Sequence, residues 1–264
     1  MYEFSYHRPA SVADAAALLA SHEEAKLLAG GQTYLPTLKQ RLAQPSDLID
    51  LGGIAELKGI KEEGGGITIG AMTRHADVAH SAVVKRVIPA LAALAELIGD
   101  PAVRNRGTMG GSISNNDPAA DYPGALLALG ATVRTNKREI PADAFFTGMF
   151  ETALERDEIV TAIHLPKPDK AAYVKFPNPA SRYSMVGVFV ARTGGGVRVA
   201  VTGAGPTAFR WVDAENALAA SYSPAAIDSL SVDAGDLNAD LHASADYRAH
   251  LMKVIAKRAV AAAA

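Results

Sequence analysis

Apolar residues in the first 55 positions alternate between short continuous runs and runs with helical spacing, which predicts a small βαβ-like unit. Its elements are helix 11–25, strand 26–29, helix 34–42 and a second short strand within 47–54. Ser11 is the expected N-cap of the first helix, and Pro45 ends the second helix. We therefore expect a first subdomain of about residues 1–55.

The middle of the chain combines helices with half-buried strands. The pattern predicts a strand from Ile67 to Ala71, a helix capped at Thr73, helix 86–98, a polar glycine-bearing segment 99–123 and helix 123–129. Apolar and polar residues then alternate along most of residues 131–166, as they do in antiparallel strands. Pro166 and Pro168 mark the end of this region. We expect a second subdomain over residues 56–168.

A third region follows, and its pattern differs from both of the others. Residues 184–206 predict a hairpin that turns at residues 194–196, and helices are expected at 212–220 and 244–261. The pattern therefore predicts helices and strands in each of three regions, with the third region beginning after the boundary at about residue 168.

Composition and charge exclude several classes of protein. Of the 264 residues, 49% are hydrophobic, so the chain can bury a sizeable core, and the net charge of -2 offers no basic field for nucleic acid. The apolar stretches 87–99 and 124–133 are shorter than the ~18–20 residues of a membrane span. No signal-peptide pattern is present near Met1. We expect a soluble, cytoplasmic protein that binds no nucleic acid.

The chain contains no cysteine and 7 histidines without the spacing of metal ligands. Disulfides, thiolate zinc sites, cysteine nucleophiles and cysteine-bound iron–sulfur clusters are therefore excluded from this chain. We predict no metal site and no catalytic side chain here. Any redox reaction would need an organic cofactor.

Two glycine pairs with small polar neighbours are the most informative motifs. The first, Ala29-Gly30-Gly31-Gln32-Thr33, separates a strand from a helix, and its alternative interpretation is a plain strand-to-helix turn capped by Thr33. Such a turn presents backbone N–H groups to an anion, and glycine allows a close approach.

The second glycine pair, Gly110-Gly111, lies between Thr108 and Ser112 and is followed by Asp117 and Asp121. Neither a dinucleotide GxGxxG opening a helix nor a P-loop is present. Two separate glycine turns without a lysine instead suit a diphosphate that backbone N–H groups hold from two sides. Alternatively, each of the two aspartates could cap a helix, since each stands just before a proline-containing helix start.

The motifs AGGQT, IGAMTRHAD and RNRGTMGGSISNNDPAADYP, in this order, resemble the FAD-binding (medium) subunit of the molybdenum hydroxylases. That family includes aerobic carbon monoxide dehydrogenase and xanthine dehydrogenase-like enzymes. The segments KFPNPASRYSMVGVFVA and GVRVAVTGAGPTAFR extend the resemblance over nearly the whole chain. It implies an α+β fold, with a two-subdomain FAD-binding domain of the vanillyl-alcohol oxidase type over residues 1–168, followed by a small α+β C-terminal domain over residues 169–264.

The resemblance also implies the residues of the cofactor site. The two glycine motifs would form opposite walls of the pyrophosphate site, Asp121 would accept a hydrogen bond from the adenosine end, and Tyr183 would lie beside the flavin ring. The full set is Ala29, Gly30, Gly31, Gln32, Thr33, Thr108, Gly110, Gly111, Ser112, Asp121, Ile159, Val160, Lys175 and Tyr183.

Some members of this set have ordinary alternatives. Ile159 and Val160 could be plain core residues of a strand, Lys175 a solvated strand charge rather than a cation near the flavin, and Tyr183 a packing residue. Covalent-flavin relatives have a histidine or cysteine near the first glycine motif, where this chain has Gln32. We therefore expect FAD to be bound noncovalently. The two prolines before Tyr183 suggest a different loop shape there.

The family implies an electron-transfer role. The chain would be one subunit of a molybdenum hydroxylase, beside an iron–sulfur small subunit with 2Fe–2S clusters and a large subunit with the molybdenum cofactor, in a dimer of heterotrimers. Its FAD would take electrons from the iron–sulfur subunit and pass them to an external acceptor. Two alternatives stay open: a self-contained FAD-dependent oxidase or dehydrogenase of the vanillyl-alcohol oxidase superfamily, and a non-enzymatic flavin-binding module.

Overall fold

A computed structural model describes residues 1–263 of the chain, which fold into three main sheets and the helices that cover them. The strands are β1 (Ser5–His7), β2 (Lys26–Leu28), β3 (Asp47–Asp50), β4 (Ile60–Glu63), β5 (Gly66–Gly70), β6 (Thr132–Thr135), β7 (Glu139–Pro141), β8 (Phe146–Gly148), β9 (Glu151–Thr152), β10 (Val160–Pro166), β11 (Lys170–Pro177), β12 (Ser184–Thr193), β13 (Gly196–Thr202) and β14 (Phe209–Arg210). The helices are α1 (Val12–Ser21), α2 (Tyr34–Lys39), α3 (His75–His80), α4 (Ala82–Val87), α5 (Pro89–Glu96), α6 (Pro101–Arg104), α7 (Met109–Asn115), α8 (Asp121–Leu129), α9 (Ala142–Phe145), α10 (Val212–Ala220) and α11 (Ala245–Ala262). Short 3₁₀ turns lie at Leu51–Gly53, Ala55–Leu57 and Pro224–Ile227.

The first 50 residues form a three-stranded parallel sheet with the order β1-β3-β2. Helix α1 begins as predicted, because the Ser11 side chain accepts a hydrogen bond from the backbone N–H of Asp14. Its apolar side chains Ala15 and Leu19 share a small core with Ile49 of β3. The predicted βαβ-like unit is thus confirmed.

The second sheet has the strand order β4-β5-β10-β6-β7, and all of its pairs are antiparallel. The alternation of apolar and polar residues between 131 and 166 therefore predicted the correct type of structure. Helices α4, α7 and α8 contact strands of this sheet. Apolar side chains of α3, α5 and α8 join those of β5 and β10 in the largest core cluster of the described residues.

The third sheet, β11-β12-β13-β14, buries side chains on both of its faces. Tyr173, Phe189 and Ala200 on one face join the core that contains α8. Val188 and Val201 on the other face pack in a separate core with α11 and α10. This alternation follows from the two-residue period of a strand, and it places α8 between two sheets.

Helix α8 has no exposed side: every residue from Asp121 to Leu129 is buried. It packs against β12 and β13 of the third sheet and against β10 of the second. The predicted hairpin at 184–206 is confirmed, since β12 and β13 pair up to Thr193 and Gly196.

Three sequence predictions about helices are wrong. The helix expected at 86–98 is two helices, α4 and α5, because Pro89 lacks an N–H group and begins a new helix instead of continuing one. Thr73 does not cap α3; its hydroxyl donates to the carbonyl oxygen of Gly59, and the helix begins at His75. The polar segment 99–123 contains the helices α6 and α7.

No helix within residues 1–263 combines the length and the apolar character needed to cross a membrane.

Candidate functional site

A cavity of about 530 Å³ opens where the first and second sheets meet the loop between β11 and β12. This volume lies in the range of small-molecule sites, about 300–1,000 Å³. Its wall contains 13 of the 14 residues that the sequence predicted for the cofactor site, and Lys175 is the one outside it. The 13 are Ala29, Gly30, Gly31, Gln32, Thr33, Thr108, Gly110, Gly111, Ser112, Asp121, Ile159, Val160 and Tyr183.

The two glycine motifs, about 80 residues apart in sequence, touch each other at the cavity. A Cβ atom at Gly30 would overlap the carbonyl oxygen of Arg106, just before the second motif, and a Cβ at Gly111 would lie 3.2 Å from the Cβ of Ala29. Gly31 has a φ of 74°, a left-handed conformation that favours glycine. The glycines therefore allow the two loops to approach each other, a role that the sequence did not indicate.

The first glycine motif leaves donors free. The backbone N–H groups of residues 30–33 donate no hydrogen bond to any acceptor within residues 1–263. Thr33 occupies the position before α2, but its side chain makes no capping hydrogen bond. A run of N–H groups without protein acceptors in a cavity wall is an arrangement that binds anions. The segment is a strand-to-helix turn between β2 and α2, as the alternative interpretation held, but the Thr33 side chain does not cap α2.

The second motif is built differently, because it forms the start of helix α7 rather than an open turn. The Thr108 side chain caps the helix by accepting from the N–H of Gly111, and the N–H groups of Met109 and Gly110 bond to the carbonyl oxygens of Thr73 and Ala71. These three N–H groups already have protein acceptors, contrary to the sequence-based expectation.

Side chains of α7 supply the free polar groups on this wall. Three of them line the cavity and form no hydrogen bond with another described residue: Ser112, Ser114 and Asn115. The cavity therefore has backbone donors on one side and neutral hydroxyl and amide groups on the other. This polar set suits a diphosphate, and no lysine of the kind found in a P-loop is needed.

Ile159 and Val160 join the cavity to the protein interior. Ile159 belongs to the core of the first sheet, and Val160 belongs to the core of the second. The backbone N–H of Ile159 is fixed by the side-chain oxygen of Asn136 at 2.8 Å. Both residues are thus core residues and cavity wall at once, so the structure combines the two interpretations that the sequence left open.

Tyr183 lies on the loop between β11 and β12 and is 46% exposed. The preceding residue, Arg182, has a φ of 64°. Partial burial together with the nearby charges of Asp117 and Asp121 raises the pKa of the Tyr183 phenol, which stays protonated at neutral pH. The loop thus presents an aromatic ring at the mouth of the cavity.

Asp117 and Asp121 do not cap helices. The Asp117 carboxylate accepts from the backbone N–H of Ala119 at 2.9 Å and closes a tight turn, while α8 begins at Asp121 after Ala120. Asp121 is buried in the cavity wall and accepts hydrogen bonds from three side chains of the third sheet, of which Lys175 is one. The ammonium group of Lys175 points to this carboxylate and is not part of the wall.

His75 is a cavity residue that the sequence patterns did not indicate. Its side chain is 5% exposed, and Nδ1 has no hydrogen-bond partner within the described chain. Burial, with a smaller effect of the nearby Arg104, lowers its pKa from 6.5 to about 4, so the ring is neutral. Its helical spacing could have indicated that it is buried, because His75 precedes the buried Val78 and Ala79 by three and four positions and so lies on the same face of α3.

Comparison with known proteins assigns the family. The sequence profile described as the FAD binding domain in molybdopterin dehydrogenase matches residues 2–168. The carbon monoxide dehydrogenase medium chain of Hydrogenophaga pseudoflava is 38% identical, with 98% of this chain and 96% of that protein covered. The nicotine 6-hydroxylase medium subunit of Paenarthrobacter nicotinovorans is 37% identical, with 97% and 95% covered.

A solved structure agrees with these sequence relatives. A chain of the reconstituted CO dehydrogenase from Oligotropha carboxidovorans superimposes with a TM-score of 0.92 at 33% identity, covering 99% of this chain and 98% of that chain. The chain belongs to the FAD-binding subunits of the molybdenum hydroxylases, a family of oxidoreductases. The family, the fold class and the cofactor class predicted from the sequence are confirmed.

Proposed function

We propose that this chain is the FAD-binding electron-transfer subunit of a molybdenum-containing hydroxylase or dehydrogenase. The observation that carries the proposal is the contact of the two glycine motifs around one cavity, where the N–H groups of residues 30–33 have no protein acceptor. The chain aligns with nearly the whole length of relatives that are named as a medium chain and a medium subunit. This favours a subunit of a complex over a self-contained oxidase.

The residues of the cavity fit a noncovalently held FAD. Residues 30–33 and the hydroxyl of Ser112 would hold the diphosphate, Asp121 the adenosine part, and Tyr183 would lie beside the flavin ring. The chain has no cysteine, and its first glycine motif contains Gln32 and neither a histidine nor a cysteine that could attach a flavin covalently. Bound FAD supplies the ability to accept electrons singly or in pairs, and the protein contributes binding, orientation and exclusion of water.

The assembly that we propose contains two further subunits. An iron–sulfur small subunit with 2Fe–2S clusters would deliver electrons to this chain, and a large subunit with the molybdenum cofactor would oxidise the substrate, in a dimer of heterotrimers in the cytoplasm. The relatives are named as chains or subunits, which supports a multi-subunit complex. Mass spectrometry of the complex purified from the native host tests this composition directly.

Reconstitution of the purified full-length chain with FAD tests the cofactor. We expect one FAD per chain, released intact by mild denaturation, with a flavin absorbance that dithionite bleaches and air restores. Organic substrates offered to the chain alone should leave the flavin oxidised. A colourless chain that does not retain FAD would refute the proposal, and oxidation of an organic substrate by the chain alone would favour a self-contained enzyme.

Gly30→Ala tests the contact between the two motifs. The added Cβ would overlap the carbonyl oxygen of Arg106, so the first motif must move away from the second. We expect FAD affinity to fall by roughly tenfold or more, since closely fitted polar contacts would be lost. Gly194→Ala is the matched control, because a Cβ at Gly194 meets no atom within 4 Å. Equal FAD affinity of the two variants would contradict the proposed site.

A further inference from the structure

Asp121 lies where helix α8 meets the third sheet, and this buried residue belongs to the cavity wall. Its hydrogen-bond partners all come from β11 and β12, which lie outside the residues matched by the family profile. Tyr173 and Lys175 belong to β11, and Ser184 begins β12. The position of this cavity carboxylate therefore depends on the C-terminal part of the chain.

The two oxygen atoms of this carboxylate have different surroundings. Oδ1 accepts from the hydroxyl of Tyr173, from Ser184 Oγ at 2.8 Å and from Lys175 Nζ at 3.1 Å. Oδ2 accepts only from Lys175 Nζ, at 3.2 Å, within residues 1–263. A carboxylate oxygen has two lone pairs, so Oδ1 with three donors is fully occupied, whereas Oδ2 with one donor has capacity for another.

Lys175 forms a buried ion pair with this carboxylate. Its side chain is 4% exposed, and its ammonium group also donates to the carbonyl oxygen of Leu97 at 2.9 Å. A buried charge needs both a counter-ion and hydrogen-bond acceptors, and Asp121 and Leu97 supply them. The ammonium group therefore has its partners on the protein side of the cavity wall.

We propose that Lys175, Tyr173 and Ser184 are positioning residues that turn Oδ2 of Asp121 towards the cavity, where it accepts a hydrogen bond from the adenosine half of FAD. This inference rests on the proposed function and extends it. It assigns to the third sheet the selection of a dinucleotide over a flavin mononucleotide. It also replaces the sequence-based hypothesis that Lys175 acts as a cation beside the flavin ring.

The experiment measures binding of FAD, ADP and FMN to the full-length chain by calorimetry. In Lys175→Met, the affinities for FAD and ADP should fall roughly tenfold, as expected for a lost hydrogen bond to a charged group, while the affinity for FMN stays within about twofold. Tyr173→Phe keeps the ring that stacks on Phe189 and removes only one donor to Oδ1, so a smaller loss of the same selectivity is expected. Lys170→Met, an exposed lysine on the same strand, is the matched control.

Rescue and reduction potential separate positioning from other roles. Lys175→Arg restores a charged donor and should recover most of the FAD affinity. The reduction potential of bound FAD should be the same in wild type and Lys175→Met. Equal losses for FAD and FMN, a changed potential, or unchanged FAD binding in both Lys175→Met and Tyr173→Phe would overturn the inference. A wild-type chain that binds no FAD would instead refute the proposed function.

Discussion

At the scale of single residues, the buried His75 makes the free energy of unfolding depend on pH. The folded protein keeps its ring neutral down to about pH 4, whereas the unfolded chain takes up the proton near pH 6.5. Between these values the unfolded state binds more protons, so the free energy of unfolding falls as the pH drops through this window.

We predict a loss of about 2 kcal/mol in the free energy of unfolding between about pH 7.5 and about pH 5, attributable to His75. Urea denaturation of the apo protein at both pH values measures it, and His75→Asn provides the comparison, since asparagine does not titrate. The difference between the two pH values should shrink by that amount in His75→Asn. The same pH dependence in both proteins would show that the buried histidine is not responsible.

Tyr183 is the second residue with an individual prediction. Because its ring lies at the cavity mouth and forms no side-chain hydrogen bond within residues 1–263, its removal should leave the diphosphate contacts intact. Tyr183→Ala should retain FAD with its affinity reduced less than roughly tenfold and should shift the flavin absorbance bands. Tyr247→Ala, a comparably exposed tyrosine on α11, should shift nothing. An unchanged flavin absorbance spectrum in Tyr183→Ala would show that the Tyr183 ring only packs in its loop and does not lie beside the flavin.

At the scale of elements, helix α7 depends on one side chain. Thr108 is buried, and its hydroxyl accepts from the N–H of Gly111, while the two glycines of the motif lower the intrinsic helix propensity of the first turn. Thr108→Ala should cost about 1 kcal/mol in the free energy of unfolding and should weaken FAD binding, because the wall that carries Ser112 loosens. Urea denaturation and FAD titration measure the two effects. Thr108→Ser keeps the hydroxyl and should recover both; failure of this rescue would exclude capping as the cause.

The same helix shows where sequence patterns fail for elements. Strands β5 and β12 were predicted within a residue or two, and β10 lies in the region predicted to hold antiparallel strands, because the burial of one or both strand faces is visible in the pattern of apolar residues. Helix α7 was missed because Gly110 and Gly111 indicate a turn, and only the tertiary bonds to Ala71 and Thr73 and the cap of Thr108 make the segment helical. Free N–H groups were predicted for both motifs, and as a result the prediction holds for the first motif and is wrong for the second.

At the scale of the molecule, the cavity residues were predictable because two motifs and a family resemblance point to them. The contacts that hold these cavity residues in place were not predictable. The contact of Gly30 with Arg106 and the hydrogen bonds of Lys175 to Asp121 join positions that are far apart in sequence and show no local pattern. The same holds for the burial of α8 on all sides, which requires the third sheet. The domain boundary at residue 168 stays a prediction. It divides the chain along its sequence and does not imply that residues 1–168 fold stably by themselves.

The dependence of α8 on the third sheet leads to a prediction about residues 1–168 alone. Without β12 and β13, one side of this apolar helix is exposed, Thr202 no longer donates to the carbonyl oxygens of Pro118 and Ala120, and the donors to Asp121 are lost. We predict that this fragment aggregates or unfolds without cooperativity and binds no FAD, although the family profile covers it. Gel filtration, thermal denaturation and FAD titration measure this.

The control is the full chain with a protease site introduced at the Pro166–Pro168 segment. After cleavage, its two fragments should stay associated and retain FAD, since the contacts between them are noncovalent. A monomeric fragment 1–168 that melts cooperatively with FAD bound would show that the third sheet is dispensable.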